Sequence, residues 1–153
     1  MVKFIKTPTL SDELISVPIN VNAEKIYVQF LGEVSAGFPS PAADFVQNNI
    51  SLDESLLDKP EATYLNRVAG DSMYPDYLVG DLLVIRSDIE PRHNDDIIVS
   101  VNNSEYTFKR YDAINKKFFP LNPKYNNAIQ LDDEDTVLIL GVVTSLIRQK
   151  RKV

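Results

Sequence analysis

Asp96-Ile97-Ile98-Val99-Ser100-Val101-Asn102-Asn103-Ser104-Glu105-Tyr106-Thr107-Phe108-Lys109-Arg110-Tyr111 sets two runs rich in β-branched and aromatic residues on either side of a short polar break. Such side chains fit the pleated surface of a sheet, and Asn102-Asn103-Ser104 suits a tight reversal, so the stretch predicts a β-hairpin. Side chains alternate faces along a strand. Lys109 therefore shares a face with Thr107 and Tyr111, while Tyr106, Phe108 and Arg110 point the other way. The facing run, Ile97 to Val101, is apolar on nearly both faces. Two environments are open to Lys109: shielded on a central strand, or snorkelling to solvent from an edge strand.

Working outward, comparable runs separated by turn residues predict strands at Thr63–Val68, Asp81–Arg86, Lys117–Leu121, Ala128–Leu131 and Thr136–Arg148, the last bent at Gly141. The expectation is a mainly β domain with little helix. Upstream the periodic signal fades. Lys25 to Leu31 reads as a possible strand within an otherwise extended N-terminal arm. Gly37-Phe38-Pro39-Ser40-Pro41 disfavours continued helix or sheet. Ser40 and Pro41 then suit the N-cap and first turn of a short helix through Ala42, Ala43, Phe45 and Val46, and Ser51 to Asp58 suits another turn or two.

Composition narrows the chemistry. The 153 residues are 44% hydrophobic and 25% charged, the profile of a globular chain, and 16 basic against 22 acidic residues give a net charge of -6. That balance argues against sequence-independent duplex binding, which needs a basic surface, and no direct specific DNA binding is expected. The absence of cysteine removes disulfides, thiolate nucleophiles and Cys-rich zinc sites. The single histidine, His93, lies in a polar turn-like stretch and is expected to be solvated. Asp132-Asp133-Glu134-Asp135 reads as a solvated turn rather than an ion site, and Arg148-Gln149-Lys150-Arg151-Lys152 as a solvated basic end. Neither cofactor nor metal is expected. The N-terminus lacks the apolar run of a signal peptide, and no stretch approaches the ~20 apolar residues of a membrane span, so the expected compartment is the cytoplasm, with no membrane association.

Two features can carry chemistry. Gly70-Asp71-Ser72-Met73 puts a serine at a strand end with glycine close by, where backbone N–H groups can stay free to form an oxyanion hole; alone, Gly-Asp-Ser is also an ordinary turn. The second feature is Lys109. A serine hydroxyl needs a base, and without a suitable histidine a neutral lysine is the available choice. Burial against apolar strands is the physical means of keeping an amine uncharged.

Taken together, Gly70-Asp71-Ser72-Met73, then Gly80-Asp81 before an apolar strand, then Lys109 after Thr107-Phe108 resemble the LexA/UmuD self-cleaving serine peptidases, and the serine-to-lysine spacing is similar. Ala36-Gly37-Phe38-Pro39-Ser40-Pro41-Ala42-Ala43-Asp44 resembles the cleavage region of UmuD proteins, where the bond before the glycine is cut. The likeness runs from about Ala36 to the C-terminus, including Gly141-Val142-Val143. It implies a β-rich peptidase domain at 37–153 and an N-terminal regulatory arm at 1–36 removed by self-cleavage. It further implies Ser72 as nucleophile on Ala36, Lys109 as general base and then proton donor to Gly37, and the N–H groups of Ser72 and Asp71 as the oxyanion hole.

The same likeness implies a trigger and partners. These are a RecA filament on single-stranded DNA, a homodimer, and an UmuC-type error-prone translesion polymerase served by the processed form in the SOS response. One departure stands at the cut, where UmuD proteins commonly carry cysteine and this chain carries Ala36, as LexA proteins do. Residues 1–36 are too few and too irregular for the helix-turn-helix domain of LexA repressors. Tyr74-Pro75-Asp76-Tyr77-Leu78 also resembles type I signal peptidases. A processing peptidase acting on secretory precursors is therefore one alternative, and a non-cleaving interaction module of the same fold is another. Retention of Ser72, Lys109 and Ala36-Gly37 together weighs against the latter.

Overall fold

The computed structural model describes residues 8–19, 27–30 and 48–151. Its chain divides into two compact units, one formed by residues up to Ile19 together with those from Lys59 on, the other by Asn20–Asp58. The expected cleavage pair Ala36-Gly37 and the short helix expected from Ser40-Pro41 through Val46 lie outside the described residues.

The larger unit is one antiparallel sheet. Its strands are β1 (Leu14–Val17), β4 (Thr63–Val68), β5 (Leu82–Arg86), β6 (Asp96–Val101), β7 (Thr107–Asp112), β8 (Lys117–Phe119), β9 (Ile129–Gln130) and β10 (Val137–Ile147), in spatial order β1-β4-β5-β10-β6-β7-β8-β9. The expected hairpin forms as β6 and β7, with Ile97 opposite Lys109 and Ile98 opposite Phe108. Asn102 and Asn103 take positive φ at its turn, the backbone region that asparagine tolerates best after glycine.

β6 is buried along its whole length. Ile98 joins Leu14, Val68, Met73, Tyr77, Leu83, Ile85, Phe108 and Leu140 in one core cluster, while Ile97, Val99 and Val101 join Phe118 and Val142 in another. Alternation along the strand puts these clusters on opposite faces of β6. Strands apolar on both sides thus occupy the middle of the sheet, and burial of each large side chain contributes roughly 1.5–3 kcal/mol.

β10 bends to serve two neighbours. It pairs with β6 from Val137 to Val142 and with β5 from Val142 to Ile147, with register shifts at Ile139/Gly141 and Val143/Ser145. The bend expected at Gly141 has a steric reason: a Cβ there would lie 2.6 Å from the Arg86 carbonyl oxygen and 2.7 Å from Ile85 Cγ2. Only glycine lets the two backbones approach so closely.

Within the other unit, β2 (Tyr27–Phe30) pairs antiparallel with β3 (Asn48–Ser51), and α1 (Leu52–Leu56) follows at once. The Ser51 hydroxyl accepts from the Glu54 N–H at 3.5 Å, an N-cap at the long limit of such a bond. β2 falls inside the expected Lys25–Leu31 run. β1 and β3 were not expected from the sequence.

Candidate functional site

β4 ends at Val68, and the chain then turns through Gly70-Asp71-Ser72. The turn is held from several sides. Asn122, just after β8, donates its N–H to the Ser72 carbonyl and its side-chain amide to the Asp71 carbonyl, both at 2.9 Å. The Asp71 carboxylate is bonded by the Tyr125 hydroxyl and by Lys124 Nζ at 2.9 Å. The Tyr125 bond, then the Lys124 bond, hold the Asp71 carboxyl below the usual carboxylate range. With both carbonyls engaged elsewhere, the peptide plane at Ser72 is fixed. Among the described residues, no hydrogen bond uses the Ser72 N–H.

Ser72 is 3% exposed and Lys109 is 1% exposed. The snorkelling alternative for Lys109 is therefore excluded, because β7 lies between β6 and β8. The same-face expectation holds: Lys109 Nζ donates to Thr107 Oγ1 at 2.7 Å. It also donates to the Phe108 carbonyl at 3.2 Å and to Glu13 Oε1 at 3.3 Å. On the opposite face of β7, Phe108 meets Tyr77 edge-on with ring centroids 4.7 Å apart.

Arg110 continues that face, forking onto Asp96 at 2.7 and 2.9 Å and reaching Asp76 at 3.0 Å. The Tyr77 hydroxyl bonds Asp96 at 2.6 Å. Burial first, and then the Asp96 carboxylate, push the Tyr77 phenol up. The bonds to Asp96 raise Arg110 further. A satisfied charged cluster thus backs the strand that carries the lysine, which limits its freedom to shift.

One functional residue escaped the sequence reading. Glu13, immediately before β1, places its carboxylate between the two candidate side chains. Ser72 Oγ donates to Glu13 Oε2 at 2.9 Å, Thr107 Oγ1 to Oε1 at 2.6 Å, and the Phe108 N–H to Oε2 at 3.2 Å. Ser72 and Lys109 thus converge on one carboxylate. The strand that positions it was signalled only by Leu14-Ile15-Ser16-Val17 ahead of Pro18, a run too short to stand out against its polar surroundings.

The other acidic residues that drew notice have local partners. Asp81 accepts from Arg148 at 2.7 and 2.6 Å and from the Leu78 N–H at 2.8 Å, and the Arg148 bond leads in lowering its carboxyl. Asp132 and Asp135 close their own turn through backbone N–H groups. His93 is exposed, its Nδ1 accepting from the Ala113 N–H at 3.2 Å. Among the described residues there is no group of three or more such side chains placed to hold a metal ion, and no helix is long and apolar enough to cross a membrane.

A curled antiparallel sheet that brings a buried serine and a buried lysine onto one carboxylate gathers groups suited to hydrolysis without histidine. Comparison with known proteins gives the family: the Peptidase S24-like model matches residues 29–144, and the chain belongs to this LexA/UmuD family of serine peptidases. It is similar to the protein SamA of Salmonella typhimurium strain LT2, with 34% identity covering 80% of this chain and 85% of that protein. It is similar to the protein ImpA of Escherichia coli at 30% identity, covering 88% and 94%. With the LexA repressor of Anaeromyxobacter sp. strain Fw109-5 it shares 31% identity over 97% of this chain and 63% of the repressor.

Proposed function

We propose that the chain cuts its own Ala36–Gly37 bond, with Ser72 as nucleophile and Lys109 as the base. The observation that carries this reading is the convergence of the Ser72 hydroxyl and the buried Lys109 amine on a single carboxylate. In the reaction, Ser72 Oγ attacks the Ala36 carbonyl carbon as its proton passes to the neutral Lys109 amine. The Ser72 N–H, with that of Asp71, receives the oxyanion. Lys109 then hands the proton to the Gly37 nitrogen as the peptide bond breaks, leaving residues 1–36 esterified to Ser72. Water, deprotonated by Lys109, releases that ester and restores the serine. Tethering gives the scissile bond a high effective concentration, so a slow catalyst suffices for a single cut.

The biological reading rests on family membership. The arm 1–36 is regulatory, and residues 37–153 are the processed form that joins an UmuC-type translesion polymerase in the SOS response. Cleavage is promoted in the cytoplasm by a RecA filament on single-stranded DNA, which favours the docked arm. The processed form is a homodimer, a reading supported by the exposed Leu138, Ile139, Leu146 and Ile147 along β10. The test is a time course of the purified full chain at mildly alkaline pH on a gel. Two bands should replace one in the wild type and none should appear with Ser72→Ala; cleavage by the alanine variant at the wild-type rate overturns the assignment.

A further inference from the structure

The segment around Glu13 lies across the candidate site as a bound ligand would. Ser11 N donates to the Tyr106 carbonyl at 2.8 Å and Tyr106 N to the Thr9 carbonyl at 2.9 Å, so residues 9–11 follow the start of β7. Three residues later the chain pairs with β4, Leu14 opposite Val68, and Ala69 N donates to the Glu13 carbonyl at 2.8 Å. Glu13 spans the gap between these two anchors. A Cβ on Gly70 would sit 3.4 Å from Glu13 Cα, so its backbone is pressed against the turn that carries Ser72. Leu14, only 4% exposed, fixes the register by packing into the core cluster with Val68 and Met73.

The carboxylate takes up the reactive groups. The Ser72 hydroxyl proton points to Glu13 rather than to the amine. Lys109 Nζ donates three hydrogen bonds, to Glu13, Thr107 and the Phe108 carbonyl. The amine that would take the serine proton is thus engaged by three other groups and not by Ser72. The Glu13 carboxylate sits 2.9 Å from Ser72 Oγ, in hydrogen-bond contact with the atom that must attack.

From this geometry we infer that residues 9–17 are an internal pseudosubstrate, with Glu13 as the latch that holds the site closed until the strand is displaced. The inference rests on Ser72 and Lys109 being the catalytic pair. Its ligand class is a carboxylate carried on an extended strand added to β4. Glu13 lies within the 1–36 fragment, so cutting the Ala36–Gly37 bond ends the covalent tether that keeps the latch at high local concentration.

The test compares self-cleavage of the full-length wild type, Glu13→Ala, Glu13→Gln and the Glu13→Ala/Ser72→Ala double variant at mildly alkaline pH without any trigger. The latch requires Glu13→Ala to cut about tenfold faster, equivalent to about 1.4 kcal/mol, with Glu13→Gln between it and the wild type. An unchanged or slower Glu13→Ala overturns the latch while leaving the nucleophile assignment standing. Cleavage by the double variant at the Glu13→Ala rate overturns the nucleophile instead. A second readout is independent of cleavage: hydrogen exchange at the amides of Leu14–Val17 and Ala69 in the Ser72→Ala background. Adding Glu13→Ala should speed that exchange, and unchanged protection there overturns the latch.

Discussion

Lys109 offers a perturbation in which activity and stability should part company. The side chain is 1% exposed, with its Nζ bonded to Glu13, Thr107 and the Phe108 carbonyl. Replacing it with methionine removes the amine and keeps most of the volume. Glu13 still accepts from Ser72, Thr107 and the Phe108 N–H, but in the otherwise wild-type chain its part-buried carboxylate would lose its cation, a costly loss. In a Glu13→Gln background no carboxylate is left without its cation, and replacing both members of a buried pair is often neutral or stabilising, so there Lys109→Met should unfold within about 1 kcal/mol of the Glu13→Gln protein. Lys109→Ala instead deletes the aliphatic stem. At about 0.8 kcal/mol per buried methylene plus a cavity term, it should lose roughly 3 kcal/mol. Both should lose self-cleavage by at least about 10²-fold, the lower end of a general base's contribution. Urea unfolding followed by circular dichroism gives the first quantity and a cleavage time course the second. A methionine variant that cuts at the wild-type rate refutes the base; one as unstable as the alanine variant refutes the packing argument.

Two further outcomes test how the scaffold holds the site. Arg148 holds the Asp81 carboxyl below its usual range, so their bond stabilises the fold above the carboxyl's unfolded value and is lost as pH falls through the folded one. Arg148→Met should flatten that acid limb while leaving the neutral-pH slope unchanged, as read by unfolding midpoints across pH 3 to 7, roughly the span above and below a free aspartate's titration. Gly141→Ala should cost about 1–3 kcal/mol, since its Cβ would meet Arg86 backbone rather than a movable side chain, and chemical denaturation measures the loss.

The sheet was legible where local pattern and burial agree. The β6–β7 hairpin and β4 follow from runs of branched residues that are buried on one or both faces, the bend of β10 follows from Gly141, and Lys109 and Thr107 met because strand alternation leaves no other arrangement. Lys109 itself was ambiguous in the sequence. Its burial depends on β8 covering the far side of β7, a non-local pairing that no short window reveals. Glu13 was invisible for a related reason: its role comes from β1 adding to β4 across a sequence gap of dozens of residues, and Ser11-Asp12-Glu13 by itself reads as a polar turn. Asn122, likewise, is an ordinary loop asparagine until the fold brings it under the Ser72 turn.

The most direct measurement is the intact mass of the products formed when the purified chain is held at mildly alkaline pH. Two species are expected, ending at Ala36 and beginning at Gly37, with neither formed by Ser72→Ala. A dominant cut at any other bond would contradict the proposed chemistry.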